Sequence, residues 1–308
     1  MKLSPVFLLV FLAICGTVSA QQVPDFQFDP KISNPLYTNQ NGPVVVVDEA
    51  HHNFHIIKSR YNAFAKVLTL DGYRVKPGTR LFSAESLSGV KILVIANALN
   101  AANENEWSKP TPSAFTPDEI EAVNKWVKEG GSLFLIADHM PFPGANEALA
   151  ATFGFKLYNG FATDTTAAPF PGSKKGPDIF KKSDASLASH VITNGKSKAE
   201  SIDHLATFTG QGFEIPGKAV SLITFNDKYK IFLPDTAWKF NEATPRLPIK
   251  GFSQGAVLNY YKGKVAVFGE AAMFSSQVTG KDRVPMGLSH PEAGQNVQFL
   301  LNLIHWLD

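Results

Sequence analysis

The order of apolar and polar stretches along the chain predicts an α/β protein. Val44 to Val47 follow Gly42-Pro43 as four β-branched residues, the composition of a strand buried on both faces of a parallel sheet. Ile57 to Leu70 places Tyr61, Phe64, Ala65 and Leu68 at three- and four-residue spacing, which predicts an amphipathic helix ended by Asp71-Gly72. Tyr73 to Val75 reads as a short second strand, Ser86 to Ser88 as a turn or short helix, and Lys91 to Ala96 as a third, buried strand. Thr116-Pro117-Asp118-Glu119 supplies an N-cap, a proline at the first helical position and an acidic first turn. The helix it opens carries Ile120, Val123, Trp126 and Val127 and stops at Gly130-Gly131. Ser132 to Ala137 is a fourth strand, and Ala145 to Phe153 another helix.

Beyond Phe153 the pattern weakens, and residues 154–218 read as an irregular insertion over the sheet edge. Ala219 to Phe225 and Tyr229 to Leu233 flank Asn226-Asp227, which predicts a hairpin. Gly255 to Tyr261 is apolar, Val265 to Gly269 is a last buried strand, and Pro291 to Leu307 closes the chain as a helix with one apolar stripe. Repetition of strand, helix, strand argues for a mostly parallel sheet with helices on both faces and right-handed crossovers.

Two segments stand outside that pattern. Residues 1–20 combine Lys2, an apolar run from Val6 to Ile14 and the ending Val18-Ser19-Ala20, the signature of a secretory signal cleaved before Gln21. The expected location is therefore secreted or periplasmic, with no membrane span in the mature chain. Cys15 is the only cysteine, so the mature chain is expected to have no disulfide, thiolate ligand or cysteine nucleophile. Residues 21–43, rich in Pro, Asn and Gln, read as an extended arm leading into one α/β domain over 44–308. The 29 basic and 27 acidic residues leave a net charge of +2 with no basic cluster, which argues against nucleic acid as a partner.

The candidate chemistry sits where apolar strands end. Asp48 follows the first strand, Asn97 the third, Asp138-His139 the fourth and Glu270 the last. If the strands are parallel, these residues converge at one carboxyl edge, where open α/β sheets bind ligands; the alternative is that Asp48 and Asp138 only cap the helices that follow. Asp48, Asp138, His139 and Glu270 are the catalytic candidates. Glu49, His52, Asn97 and His290 are the ligand-binding ones. His51 and His55 are four apart, so a helix starting near His51 would turn both imidazoles to one side and, with Asp48, admit a divalent metal such as zinc. The competing reading is a set of histidines hydrogen-bonded to one another and to the sheet edge. No Gly-x-Ser-x-Gly elbow, phosphate-binding glycine loop or dinucleotide fingerprint is present.

Three segments carry a family resemblance: Val-Val-Asp-Glu-Ala-His-His-Asn-Phe-His from Val46, Trp-Val-Lys-Glu-Gly-Gly-Ser-Leu-Phe-Leu-Ile-Ala-Asp-His from Trp126, and Lys-Gly-Lys-Val-Ala-Val-Phe-Gly-Glu-Ala-Ala-Met-Phe from Lys262. Together they resemble the class I glutamine amidotransferase-like superfamily, and within it secreted bacterial members of unassigned function. The Gly-Gly-strand segment and His190 to Gly195 also resemble trehalose-utilisation-like domains. The resemblance implies a flavodoxin-like fold and says little about reaction. Family enzymes use a cysteine at a strand-to-helix elbow, and Asp138-His139 stands at the corresponding place, so glutamine hydrolysis by that route is excluded. Two readings remain open: a hydrolase whose carboxylates and imidazoles activate water, with or without a metal, and a non-catalytic domain binding a small molecule, sugar or peptide of the cell envelope.

Overall fold

The computed structural model describes residues 22–174 and 176–308; the leader expected over 1–20, with Cys15, lies outside them. Seven strands form the large sheet: β1 (Val44–Asp48), β2 (Arg74–Gly78), β3 (Ile92–Ala96), β4 (Ser132–Ile136), β5 (Val220–Thr224), β6 (Ser253–Tyr260) and β7 (Gly263–Phe268). Their spatial order is β2-β1-β3-β4-β7-β6-β5. β2, β1, β3, β4 and β7 pair in parallel, whereas β6 and β5 extend the sheet antiparallel. The carboxyl ends of β1, β3, β4 and β7 therefore share one edge, and the order reverses between β1 and β3.

The longer helices are α1 (Asn62–Leu70), α2 (Pro117–Lys128), α3 (Phe142–Ala151) and α4 (Asn296–Leu307). Strand residues alternate between two packed layers, as the period of a strand requires. Val45, Val47, Ile92, Val94, Phe134 and Ile136 pack with Phe64 and Leu68 of α1 and Phe299, Leu300 and Leu303 of α4. Leu93, Ile95, Leu133 and Leu135 face the other way, onto Val123 and Val127 of α2 and Ala145 and Leu149 of α3. Each of the buried Val, Leu, Ile and Phe side chains contributes roughly 1.5–3 kcal/mol by leaving water, so the core holds the strand ends rigidly in register.

Thr116 caps α2 through a full capping box, its hydroxyl accepting from the Glu119 amide while Glu119 accepts from the Thr116 amide. The arm is tied down: Val23–Pro24 pairs with Ser276–Thr279, Lys66 meets Asp29 at 2.8 Å, and the Tyr37 hydroxyl donates to Asp308.

Four sequence expectations change. The helix expected from Ile57 begins only at Asn62, because residues 49–61 form a loop in which Glu49 accepts from the Ile57 amide at 2.8 Å and the Ser59 and Tyr61 amides both return to Ile56. The hairpin expected around Asn226-Asp227 does not form. Phe225 is held by the Gly251-Phe252 turn, so β5 pairs with β6, and Tyr229–Phe232 joins Phe161–Asp164 and Arg246–Pro248 in a separate sheet. The hairpin in this region is β6–β7, with Tyr261 at φ 52° in its two-residue turn. Residues 154–218 are not irregular throughout, since Asp178–Lys181 pairs with His204–Thr207. The closing helix is split: a single turn over Pro291–Ala293 precedes α4.

Candidate active site

The polar residues at the carboxyl edge divide into two groups. The first is sealed. Asp48 is fully buried, and its carboxylate accepts from the Ala50 amide at 3.2 Å and from Asn53 Nδ2 at 2.9 Å. His51 Nδ1 lies 2.9 Å from Asp48, and Nε2 lies 2.8 Å from Glu119 Oε1. Phe82 and Phe115 close over the imidazole, with ring centroids 4.6 and 4.8 Å away. Burial pushes His51 down, but bonds and charge from Asp48 and Glu119 outweigh it, so its pKa is raised. Burial likewise pushes Glu119 up, yet the Thr116, His51 and Phe82 hydrogen bonds win and hold it below its ordinary value. The result is an imidazolium between two carboxylates, a fixed staple from the loop after β1 to the first turn of α2.

That geometry corrects the metal expectation. His51 and His55 do not share a helix face, because the helix starts after both, and each ring nitrogen of His51 is already engaged by a carboxylate. Asp48 is part of that staple, fully buried and apart from the wall that Asp138, His139 and Glu270 line. Among the described residues no three His, Cys, Asp or Glu side chains are grouped as metal ligands.

The second group surrounds a cavity of about 370 Å³ whose walls include Asp138, His139 and Glu270. The turn after β7 brings the carboxyls together: Ala272 and Met273 amides donate to Glu270 at 3.0 and 2.6 Å, and the Ala271 amide donates to Asp138. Burial, then the charge of Asp138, pushes Glu270 well above the usual carboxylate range. Burial also raises Asp138, but His139 and its backbone donors work against the shift. His139 donates from Nδ1 to the Met140 carbonyl at 2.7 Å and stacks on Phe161 at 4.7 Å, so Nε2 is its remaining ring nitrogen for a ligand.

Asn97 orders the floor. At φ 52° it sits in left-handed backbone, its Oδ1 accepts from the Asp138 amide at 2.9 Å, and its Nδ2 lies 3.1 Å from His55 Nδ1. An amide N–H there makes Nδ1 the acceptor, so the His55 proton is on Nε2, which is buried without a partner. Burial, reinforced by the charges of Arg60 and His139, pushes His55 well below its ordinary value, and it stays neutral. Gly210, at φ 106°, lets the opposite wall approach: a Cβ there would lie 2.1 Å from the Gly269 carbonyl.

The remaining candidates fall outside the cavity wall. Glu49 holds the Ile57 amide; His52 is exposed and pairs with Glu104 at 3.1 Å; His290 caps the Pro291–Ala293 turn through Nδ1 and touches Phe208, a wall residue, only by its ring. Sequence reasoning missed Arg60, Phe54, Trp107 and Trp238, which line the cavity, and Glu119, the distal end of the staple. Trp107 lies in the long aperiodic loop whose length marks a covering segment, and Glu119 was visible as the capping-box acid, but no local signal tied either to the strand ends. The sequence also marks two segments, Asn100 to Phe115 and Phe161 to Phe180, as covers of the edge; the first supplies Trp107 to the cavity, Phe161 of the second stacks on His139, and Trp238 comes from a third.

No protein-family model and no curated protein matches the sequence. Solved structures do. The chain is similar to the mmIFT52 N-terminal domain over 86% of its own length and 96% of that chain, with TM-score 0.59 and 16% identity, a likeness of fold alone. It also matches the cytoplasmic protein STM1381 from Salmonella typhimurium (TM-score 0.48, 16% identity, 86% and 99% coverage). A ThuA-like protein from Bacteroides uniformis is a further structural neighbour (TM-score 0.46, 11% identity, 91% and 94% coverage).

Proposed function

We propose that the cavity is the active site of a hydrolase, with Glu270 as general acid and Asp138 as general base. The observation that carries this is the pair itself: two buried carboxyls on one cavity wall, each pushed up by burial and Glu270 also by the charge of Asp138. Neighbouring carboxyls with pKa values pushed apart divide into a protonated and an ionised member near neutral pH. The ionised Asp138 takes a proton from water, whose oxygen attacks the electrophilic carbon of the substrate. Glu270 gives its proton to the leaving oxygen as that bond breaks, and solvent returns the proton from Asp138 to Glu270. His139 Nε2 orients the substrate.

A panel of chromogenic glycosides, esters and amides assayed with the purified protein tests this. Turnover that falls at least about 100-fold in both Glu270→Gln and Asp138→Asn is expected. Specific ligand binding with no turnover of any substrate class would instead favour the second reading, a non-catalytic sugar- or peptide-binding domain. The aromatic walls Phe54, Trp107 and Trp238 are its support.

The parallel order β2-β1-β3-β4-β7 supports a flavodoxin-like arrangement of the glutamine amidotransferase-like type, with the candidate cavity at its carboxyl edge beside β4 and β7. Export with cleavage before Gln21 belongs to the same reading, and N-terminal sequencing of exported protein that began at Met1 would count against it.

A further inference from the structure

Resting on the hydrolase reading of the same cavity, we propose that its substrate carries a carboxylate held by Arg60, as in a glycoside of a uronic acid. Arg60 is half-buried in the cavity wall, its guanidinium carbon 3.9 Å from the Phe54 ring centroid. Its Nε is buried without a partner, and its terminal nitrogen makes only a long contact, 3.5 Å, to the Gln22 carbonyl. Among the described residues no carboxylate lies within ion-pairing distance of it. A half-buried guanidinium that lacks a counter-ion, its Nε closed off without a partner, is stabilised when a ligand supplies one.

The chemistry of the missing partner follows from the fork and from the rest of the wall. Parallel N–H groups of arginine match the two oxygens of a carboxylate. A phosphate dianion would bring more negative charge than a carboxylate beside the Asp138–Glu270 pair, which disfavours it. Trp107 and Trp238 offer flat apolar faces suited to the C–H face of a pyranose. Trp238 is 44% exposed at φ 64°, a backbone conformation that bulky residues rarely adopt and that is retained where the surroundings and function demand it. A paired acid and base is the device that cleaves acetals. Glu270 protonates the glycosidic oxygen, the bond from that oxygen to the anomeric carbon breaks, and water deprotonated by Asp138 adds to that carbon. The products are a hemiacetal uronate and an alcohol.

Titration calorimetry at neutral pH and low salt tests the assignment with glucuronate and galacturonate against glucose and galactose, and a dipeptide with a free carboxylate as a third arm. Uronates are expected to bind at least about tenfold more tightly than the neutral sugars. Arg60→Gln should erase that preference, and Arg60→Lys, which keeps the charge without the fork, should retain part of it. Equal affinity for neutral sugars, a preference that persists in Arg60→Gln, or tighter binding of the dipeptide would each overturn the proposal. If Arg60→Gln fails to fold in a thermal melt, wild type and Arg60→Lys decide it. Uronate selectivity without any turnover would remove the catalytic reading and leave this one; turnover of neutral glycosides that Arg60→Gln does not alter would do the reverse.

Discussion

His51 and Glu119, 68 positions apart in sequence, meet through a 2.8 Å hydrogen bond from Nε2 to Oε1, and that contact fixes the loop after β1 against the start of α2. Glu119 serves both the capping box of its own helix and the imidazolium, so one side chain couples a local device to a tertiary one. The loop so held runs on to His55 and Arg60, which sit behind and within the cavity.

The staple has a defined pH window. The folded pKa of His51 is raised above 6.5, so its contribution is complete below that value and is lost as pH rises through the folded pKa. The folded pKa of Glu119 is lowered from 4.5, so its contribution is present above that value and is lost as pH falls through the folded pKa. His51→Gln should therefore cost about 3 kcal/mol in denaturant titrations between these limits. The gap to wild type should narrow at alkaline pH; a gap that widens there would contradict the imidazolium assignment.

For turnover, the pair predicts a bell-shaped pH profile. The limb at higher pH reports deprotonation of the general acid, and Glu270→Gln should remove the activity that the limb describes, by at least about 100-fold in kcat. Ligand affinity should change far less than kcat. Loss of binding with unchanged kcat would assign the glutamate to recognition instead.

Asn97 separates strain from bonding. Asn97→Ala loses the bonds to the Asp138 amide and His55 and also places a Cβ-bearing residue without polar compensation at φ 52°, a combined cost of about 3 kcal/mol. Asn97→Gly loses the same bonds but accepts that φ freely, so equilibrium unfolding should find it the more stable of the two variants.

Gly210→Ala should be among the most damaging small substitutions at the site. Both the positive φ and the Gly269 carbonyl oppose a methyl group, which predicts a loss of about 3 kcal/mol. A melting temperature equal to wild type would show that the Phe208–Gln211 wall stands further from β7 than described.

The sequence by itself determined the layers. Val44 to Val47, Ile92 to Ala96 and Leu133 to Ala137 are short continuous apolar runs of the kind a covered parallel sheet takes, and the Thr116 capping signal located α2, because both signals act within a few residues. It also placed Asp48, Asn97, Asp138 and Glu270 at strand ends, and parallel pairing brought those ends to one edge. Only the tertiary structure divided them into a sealed staple and an open cavity. That division depends on which partner each side chain meets across the sheet edge: Glu119 for His51, the β7 turn for Asp138 and Glu270, and the loop ending at Asn62 for Arg60. Side chains that meet across 68 or more positions leave no periodicity in the sequence, because the contact between them is fixed by no local spacing, even where one partner, like Glu119, has a local role of its own. The same holds for β5, whose pairing with β6 rather than with the adjacent Tyr229–Phe232 was decided by the Gly251-Phe252 turn, not by the Asn-Asp signal beside it.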